Sequence, residues 1–237
     1  MGIHCRDVID VVMLNLSKAG IPKAITKTKV AYGEAILKDL FKVIVCLFIT
    51  NDLAAQSIIN YGSLASFSEN GYLQVVVEIP AGTNKKREYD YVTNTFPADI
   101  KDGQERIINF LPYPGNYGFI PSTMMDRARG GDGDAVDVLV LSQHSPTGTI
   151  LEVIPIALVN LMDNGEIDSK IIAVPINASQ QVISATSYSQ LHSKYPNVQR
   201  VIELWFTSYK GPGIMELGDW GDERRAKAEI EKWLMIN

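Results

Sequence analysis

The chain has 237 residues, with 22 lysines and arginines against 27 acids for a net charge of −5. That balance excludes a protein that grips nucleic acid through a broad basic surface, and 46 % apolar with 21 % charged residues excludes a disordered chain. Two cysteines (Cys5, Cys46) and three scattered histidines (His4, His144, His192) exclude a disulfide scaffold and a cysteine- or histidine-rich metal centre, so metal chemistry here must use oxygen ligands.

In chain order, apolar positions at Val8, Ile9, Val11, Val12, Leu14 and Leu16 predict a short helix that Gly20 and Pro22 end. A second helical stretch is expected over 34–48. The apolar run 43–49 is too short to span a bilayer. With Lys38 and Lys42 before it and small residues after it, segment 38–56 reads either as a buried element or as an internal leader. Residues 1–68 carry no chemical motif and are read as an N-terminal extension to a domain over 69–237. Strands are predicted at 75–79, 87–93, 106–110, 137–142, 150–162 and 170–174, with Pro155 at a bulge or edge of the fifth. Helices are predicted at 180–193, 197–209 and 221–235, the last from Ala226, Ile230, Trp233 and Leu234 at helical spacing. Short strands followed by helices imply a closed or sandwiched sheet with helices packed outside.

The densest acidic cluster is Asp132, Asp134 and Asp137, on a turn that follows Gly130-Gly131 and leads into an apolar strand. Three like charges held this close are costly unless a cation sits among them, and hard cations such as Mg²⁺ take oxygen ligands. An EF-hand fails: counted from Asp132, the sixth position is Asp137 instead of glycine and the twelfth is Gln143 instead of glutamate. Alone, the cluster reads equally as a solvated acidic turn. Residues 163–170, with Asp163, Asp168 and Lys170, form a turn between two apolar runs. Glu78, Lys86 and Glu88 lie on adjacent strand-like segments, with Lys86 and Glu88 on one face. The segment 112–119 sets Tyr113 and Tyr117 on a backbone fixed by two prolines and two glycines. Tyr209 and Lys210 close the helix at 197–209.

In spacing and order these features resemble the soluble family I inorganic pyrophosphatases. The family's D-x-D-x-x-D signature matches Asp132, Asp134 and Asp137; its E-I-P-A strand end matches residues 78–81. Its Y-P-x-N-Y-G segment matches residues 113–118. Its D-x-x-x-x-D-x-K element matches Asp163, Asp168 and Lys170, and its late Y-K pair matches Tyr209 and Lys210. Gly218, Asp219 and Trp220 resemble the segment before the family's last helix. The likeness covers about residues 72–236. Ala135 stands where the family often has proline, Arg87 where it often has tyrosine, and the loop 121–131 is longer than in short bacterial members.

The resemblance implies an OB-like five-stranded β-barrel with flanking helices that hydrolyses inorganic pyrophosphate by direct attack of metal-activated water. It implies several Mg²⁺ ions per site, held by Glu78, Asp132, Asp137, Asp163 and Asp168, with Asp137 bridging two. Asp134 would accept the water's proton beside Tyr117. Lys86, Glu88, Arg106, Tyr113, Lys170, Tyr209 and Lys210 would bind substrate. A homo-oligomer, hexamer or dimer, is implied, without nucleic acid or membrane partners. The family's usual task is cytoplasmic; export is the alternative if 38–56 is a leader. Two other readings stand beside it: a β-barrel binding protein without turnover, which the missing basic stripe opposes, and a phosphatase of broader specificity.

Overall fold

The computed structural model describes residues 59–235. The helices expected within 1–48 and the leader-like segment 38–56 lie outside the described residues. Strands β1 (Leu73–Ile79), β4 (Asn116–Phe119), β5 (Asp137–Val140), β6 (Ile150–Asp163) and β8 (Lys170–Pro175) hydrogen-bond in the cyclic order β1-β4-β5-β8-β6, and β6 closes the ring on β1. The five-stranded barrel is therefore present, but unevenly. Only β5–β8 is parallel, and β6 overruns the ring to pair with β7 (Glu166–Ile167) and β9 (Met215–Gly221). The short β2 (Ile100–Lys101) and β3 (Gln104–Glu105) form a separate hairpin. Three α-helices follow among the described residues: α1 (Tyr188–Lys194), α2 (Pro196–Ser208) and α3 (Glu223–Trp233). None is long and apolar enough to cross a membrane.

Beyond their charged first residues, Asp137 and Lys170, strands β5 and β8 are apolar because both faces are covered. Val138, Val140, Ile171 and Ala173 pack with Ala226, Ile230 and Trp233 of α3. The alternate residues Leu139, Leu141, Ile172 and Val174 pack with Leu191 of α1 and Ile202, Trp205 and Phe206 of α2. Period-two alternation thus sends successive side chains into two cores. Gly118 lets β4 lie against β1: a Cβ there would fall 1.9 Å from the carbonyl oxygen of Val76.

Several sequence expectations need correction. No strand forms at 87–93 or 106–110; single bridges Lys85↔Ile107, Arg87↔Ala98 and Asp90↔Thr95 stand in their place. The Asp90 carboxylate accepts from the N–H groups of Val92 and Thr93, turning the chain where a strand would continue. The helix expected at 180–193 starts only at Tyr188. Ser187 caps it by accepting from the N–H of Gln190, and the Gln190 side chain in turn accepts from the N–H of Thr186. The last helix ends at Trp233, and Leu234 bridges to Thr123. Strands β4 and β9 were not expected: β4 is four residues long with a glycine inside it, and the exposed run in β9 hides any alternation. The bulge at Pro155 is present as a register shift against β8 between Pro155 and Ala157.

Candidate active site

The candidate residues gather at the strand ends where β5 and β8 begin. In the parallel register Asp137 lies opposite Lys170, so the first residues of two neighbouring strands place opposite charges side by side. The Lys170 ammonium, 3 % exposed, bonds both the Asp137 and the Asp168 carboxylates. Tyr117 reaches the same point from β4, its hydroxyl donating to Asp137 Oδ2 at 2.6 Å. Glu78 arrives from β1 at a register shift between Val77 and Ile79, a bulge that re-aims its side chain. There its Oε1 accepts from the N–H of Tyr89 at 2.7 Å.

The signature turn is tight. Asp132 Oδ1 accepts from the N–H of Asp134 at 2.9 Å, across Gly133 at φ 89°. The β6–β7 hairpin presents Asp163, whose carboxylate pairs with Lys210 from the end of α2. Lys86 pairs with Glu88 and lies 3.8 Å from Asp99, which also takes Arg106 at 3.1 Å. An aromatic row links these groups to α2. Tyr113 packs on Tyr117 (ring centroids 5.2 Å) and on Trp205 (4.4 Å), and Trp205 stacks on Tyr209 at 4.6 Å. The Trp205 indole donates to the carbonyls of Leu111 and Pro112, each at 3.0 Å, fixing the row against the tyrosine segment.

The electrostatics share one hub. Burial, then the charge of Asp137, raises the Glu78 carboxyl well above its ordinary value. Asp132 and Asp134 are raised by partial burial and by neighbouring carboxylates, Asp137 among them. Asp168 is raised by burial against the opposing pull of Lys170. Burial works against the Lys170 ammonium, yet Asp137 and Asp168 outweigh it and lift its pKa above the ordinary lysine value. Burial first, and Asp137 among the neighbouring charges, raises Tyr113, Tyr117 and Tyr209, so all three hydroxyls stay protonated donors. The Arg106 charge acts on Tyr113 and Tyr209, which places that arginine at the same site.

All fourteen candidate residues are thus brought into one connected charge field. Seven carboxylates face four cations, three more negative charges than positive. Four of the acids are held above their ordinary pKa, first by burial and then by neighbouring carboxylates. The donors are all oxygens, the set a hard divalent cation takes, so the residues fit Mg²⁺. Among the described residues no three acids, histidines or cysteines are already converged as a metal set. The Lys170 ammonium lies between Asp137 and Asp168, and the Lys210 ammonium pairs with Asp163. Sequence reasoning missed Asp99 and Tyr91. Tyr91, whose ring packs on Tyr89 at 4.7 Å, is pushed up to about 12 by burial and by the Glu78 charge.

The family model for inorganic pyrophosphatase matches residues 75–235. An inorganic pyrophosphatase of Neisseria meningitidis serogroup B is 32 % identical over 173 residues, spanning 70 % of this chain and 90 % of that one. The crystal structure of an inorganic pyrophosphatase from Neisseria gonorrhoeae superposes with a TM-score of 0.62 at 31 % identity, covering 74 % of this chain and 97 % of that one. An N-terminally truncated vacuolar soluble pyrophosphatase of Trypanosoma cruzi, solved in complex with PPi, shares the fold at a TM-score of 0.62 and 22 % identity, covering 68 % of this chain and 66 % of that one. A closed β ring gathers carboxylates and lysines at one end, and the match to this family makes the chain a hydrolase. The chain belongs to the inorganic pyrophosphatase family, and its reaction is the hydrolysis of inorganic pyrophosphate.

Proposed function

We propose that residues 69–237 form the catalytic domain and hydrolyse pyrophosphate with Mg²⁺ at the site centred on Asp137. The observation that carries this reading is the charge shortfall: an acidic site with an anionic substrate functions only when divalent cations join them. Glu78, Asp132, Asp137, Asp163 and Asp168 would hold Mg²⁺. Bound there, the ions supply charge neutralisation for the diphosphate and a lowered pKa for water. Lys86, Arg106, Lys170 and Lys210 bind and neutralise phosphate oxygens, with Glu88 orienting Lys86. Tyr113 and Tyr209, held protonated, donate their hydroxyls to the substrate. Tyr117 donates its hydroxyl to Asp137 and holds that carboxylate in place. Asp134, whose proton affinity is raised, takes the proton from the attacking water at its carboxylate. The pyrophosphate complex of the Trypanosoma cruzi enzyme, on the same fold, supports the substrate assignment.

Phosphate release from pyrophosphate, measured with and without Mg²⁺ and with a chelator, tests the proposal. Turnover should require Mg²⁺ and vanish on chelation. Metal-independent turnover, or faster hydrolysis of p-nitrophenyl phosphate, refutes it.

A further inference from the structure

One cation at the site has no part in the roles above. Arg127 opens the 3-10 turn Arg127–Arg129, in the loop that precedes the signature aspartates. That turn is fixed at both ends. The Asp126 carboxylate accepts from the N–H of Ala128, and Gly130 closes the turn in the left-handed conformation at φ 86°. From this anchor the guanidinium runs along Gly133, so near that a methyl group on the glycine would fall 2.6 Å from Arg127 Nε. Its other end lies 3.5 Å from Glu166 Oε1. Gly133 is flanked by Asp132 and Asp134, and Glu166 stands between Asp163 and Asp168 in the chain. A single side chain therefore reaches both acidic turns.

The backbone joins the two turns where Gly131 bridges to Ile167, whose N–H donates to the Gly130 carbonyl at 3.1 Å, and again where Asp137 pairs with Lys170. The signature turn is also tied to the chain before it: the Gly133 N–H donates to the Met125 carbonyl at 2.8 Å, and the Asp134 carbonyl accepts from the Met125 N–H at 2.7 Å. Arg127 adds a side-chain link from this turn to the hairpin. The Arg127–Glu166 pair is open to water, with side chains 69 % and 56 % exposed, so it adds little to stability. What it supplies is orientation.

We propose that Arg127 is a positioning residue for pyrophosphate hydrolysis. By spanning Gly133 and Glu166 it holds the Asp132–Asp134 turn at a fixed separation from the hairpin that carries Asp163 and Asp168. The proposal rests on the reading that both turns hold divalent cations. Residues that orient metal-binding side chains without touching the ion typically govern affinity by 10–100-fold.

The test compares the full-length wild type with Arg127→Ala, Arg127→Lys, Glu166→Gln and the Arg127→Ala/Glu166→Gln double variant. Mg²⁺ binding to the substrate-free protein is measured by titration calorimetry, and pyrophosphate hydrolysis is followed across a Mg²⁺ series. Arg127→Ala should weaken Mg²⁺ binding about tenfold or more and raise the Mg²⁺ needed for half-maximal activity by the same factor. Its Tm should stay within about 2 °C of the wild type. Arg127→Lys should recover part of the affinity, because the ion pair survives while the planar fork over Gly133 is lost. Glu166→Gln should shift affinity in the same direction, and the double variant should be no worse than Arg127→Ala alone. Unchanged Mg²⁺ affinity in Arg127→Ala overturns the proposal and assigns the separation to the Gly131–Ile167 bridge. A fall in Tm that tracks the lost activity also overturns it. A wild type that binds Mg²⁺ yet leaves pyrophosphate intact refutes the functional reading instead, and the binding constants of the variants still decide the role of Arg127.

Discussion

Replacing Lys170 with methionine removes one charge from the centre of the site and leaves its volume nearly unchanged. In the native protein the ammonium is 3 % exposed and bonds two carboxylates, Asp137 and Asp168. Without it, two acids face each other in a poorly solvated space with only the Tyr117 hydroxyl as a remaining donor to Asp137. Breaking a buried ion pair by removing one partner costs about 3–5 kcal/mol. For a domain of this size that corresponds to a fall in Tm of about 6–20 °C. The pH dependence gives a second readout. The folded pKa of Lys170 is raised, so its stabilisation is complete below the unfolded value of about 10.4 and is lost as pH rises through the folded value. The gap in Tm between wild type and Lys170→Met should therefore be level from neutral pH to about 10 and narrow above it. Asp168, already raised, loses its opposing cation in the variant. A raised carboxyl binds its proton more tightly folded than unfolded, so mild acidification from neutral pH should stabilise the variant relative to wild type. Differential scanning calorimetry across pH reads both effects. A Tm within about 2 °C of wild type, or a gap indifferent to pH, refutes the claim that Lys170 neutralises this cluster.

Asp137→Asn should lower turnover by about 10³-fold or more, because the hub of the charge field goes with it. Asp126→Asn should be near neutral, since asparagine keeps the turn cap to Ala128. Like kinetics for the two variants would sink the site assignment. Gly118→Ala should cost more than about 3 kcal/mol or yield no folded protein, because the new methyl meets the Val76 carbonyl at 1.9 Å. Thermal melts that match the wild type would contradict the β1–β4 packing. A chain beginning at Ser57 should fold and keep most of its activity. It retains the Asn60 cap and the Tyr61 ring packed 5.8 Å from Tyr89 and 5.1 Å from Phe96. Insolubility of that chain would assign the apolar run 43–49 to the core.

The parts of the site that were legible in the sequence are those whose residues lie close together along the chain. Asp132, Asp134 and Asp137 fall within six positions on a glycine-rich turn, and Asp163, Asp168 and Lys170 within eight. Their spacing matched the family's motifs without knowledge of the fold, although each group alone read equally well as a solvated turn. Asp99 was invisible because it is recruited by loop pairing: Arg106 donates its N–H to the Asp99 carbonyl at 2.7 Å, and no periodic pattern encodes that. A usable signal did exist nearby. Asp102-Gly103, both at positive φ, is a hairpin pair of the kind that forces two flanking segments together, and it brings Ile100 opposite Glu105. The strands predicted at 87–93 and 106–110 failed for a related reason. β-branched and aromatic residues favour extended backbone, but a side chain that satisfies its own local N–H groups, as Asp90 does, ends the ladder. The central strands were readable because burial on both faces leaves continuous apolar runs, whereas β9, with four exposed positions in seven, offers neither a run nor an alternation.

The placement of the lysines explains how such a site survives folding. Seven carboxylates at one end of a β ring would repel one another and resist burial. The fold answers by inserting ammonium groups among them: Lys170 between Asp137 and Asp168, Lys210 against Asp163, Lys86 against Glu88. The same lysines are the groups suited to phosphate oxygens, and a lysine engaged by a carboxylate has fewer donors to offer an anion. Divalent cations arriving at the carboxylates would take over the neutralising charge and leave the lysines to the substrate. Cation and pyrophosphate then favour each other's binding, and by linkage the factor is the same in both directions. On this view the acidity of the chain and its appetite for a highly charged anion would be one design: the excess of three carboxylates would admit the metal, and the lysines that stabilise the folded site would become its anion receptors.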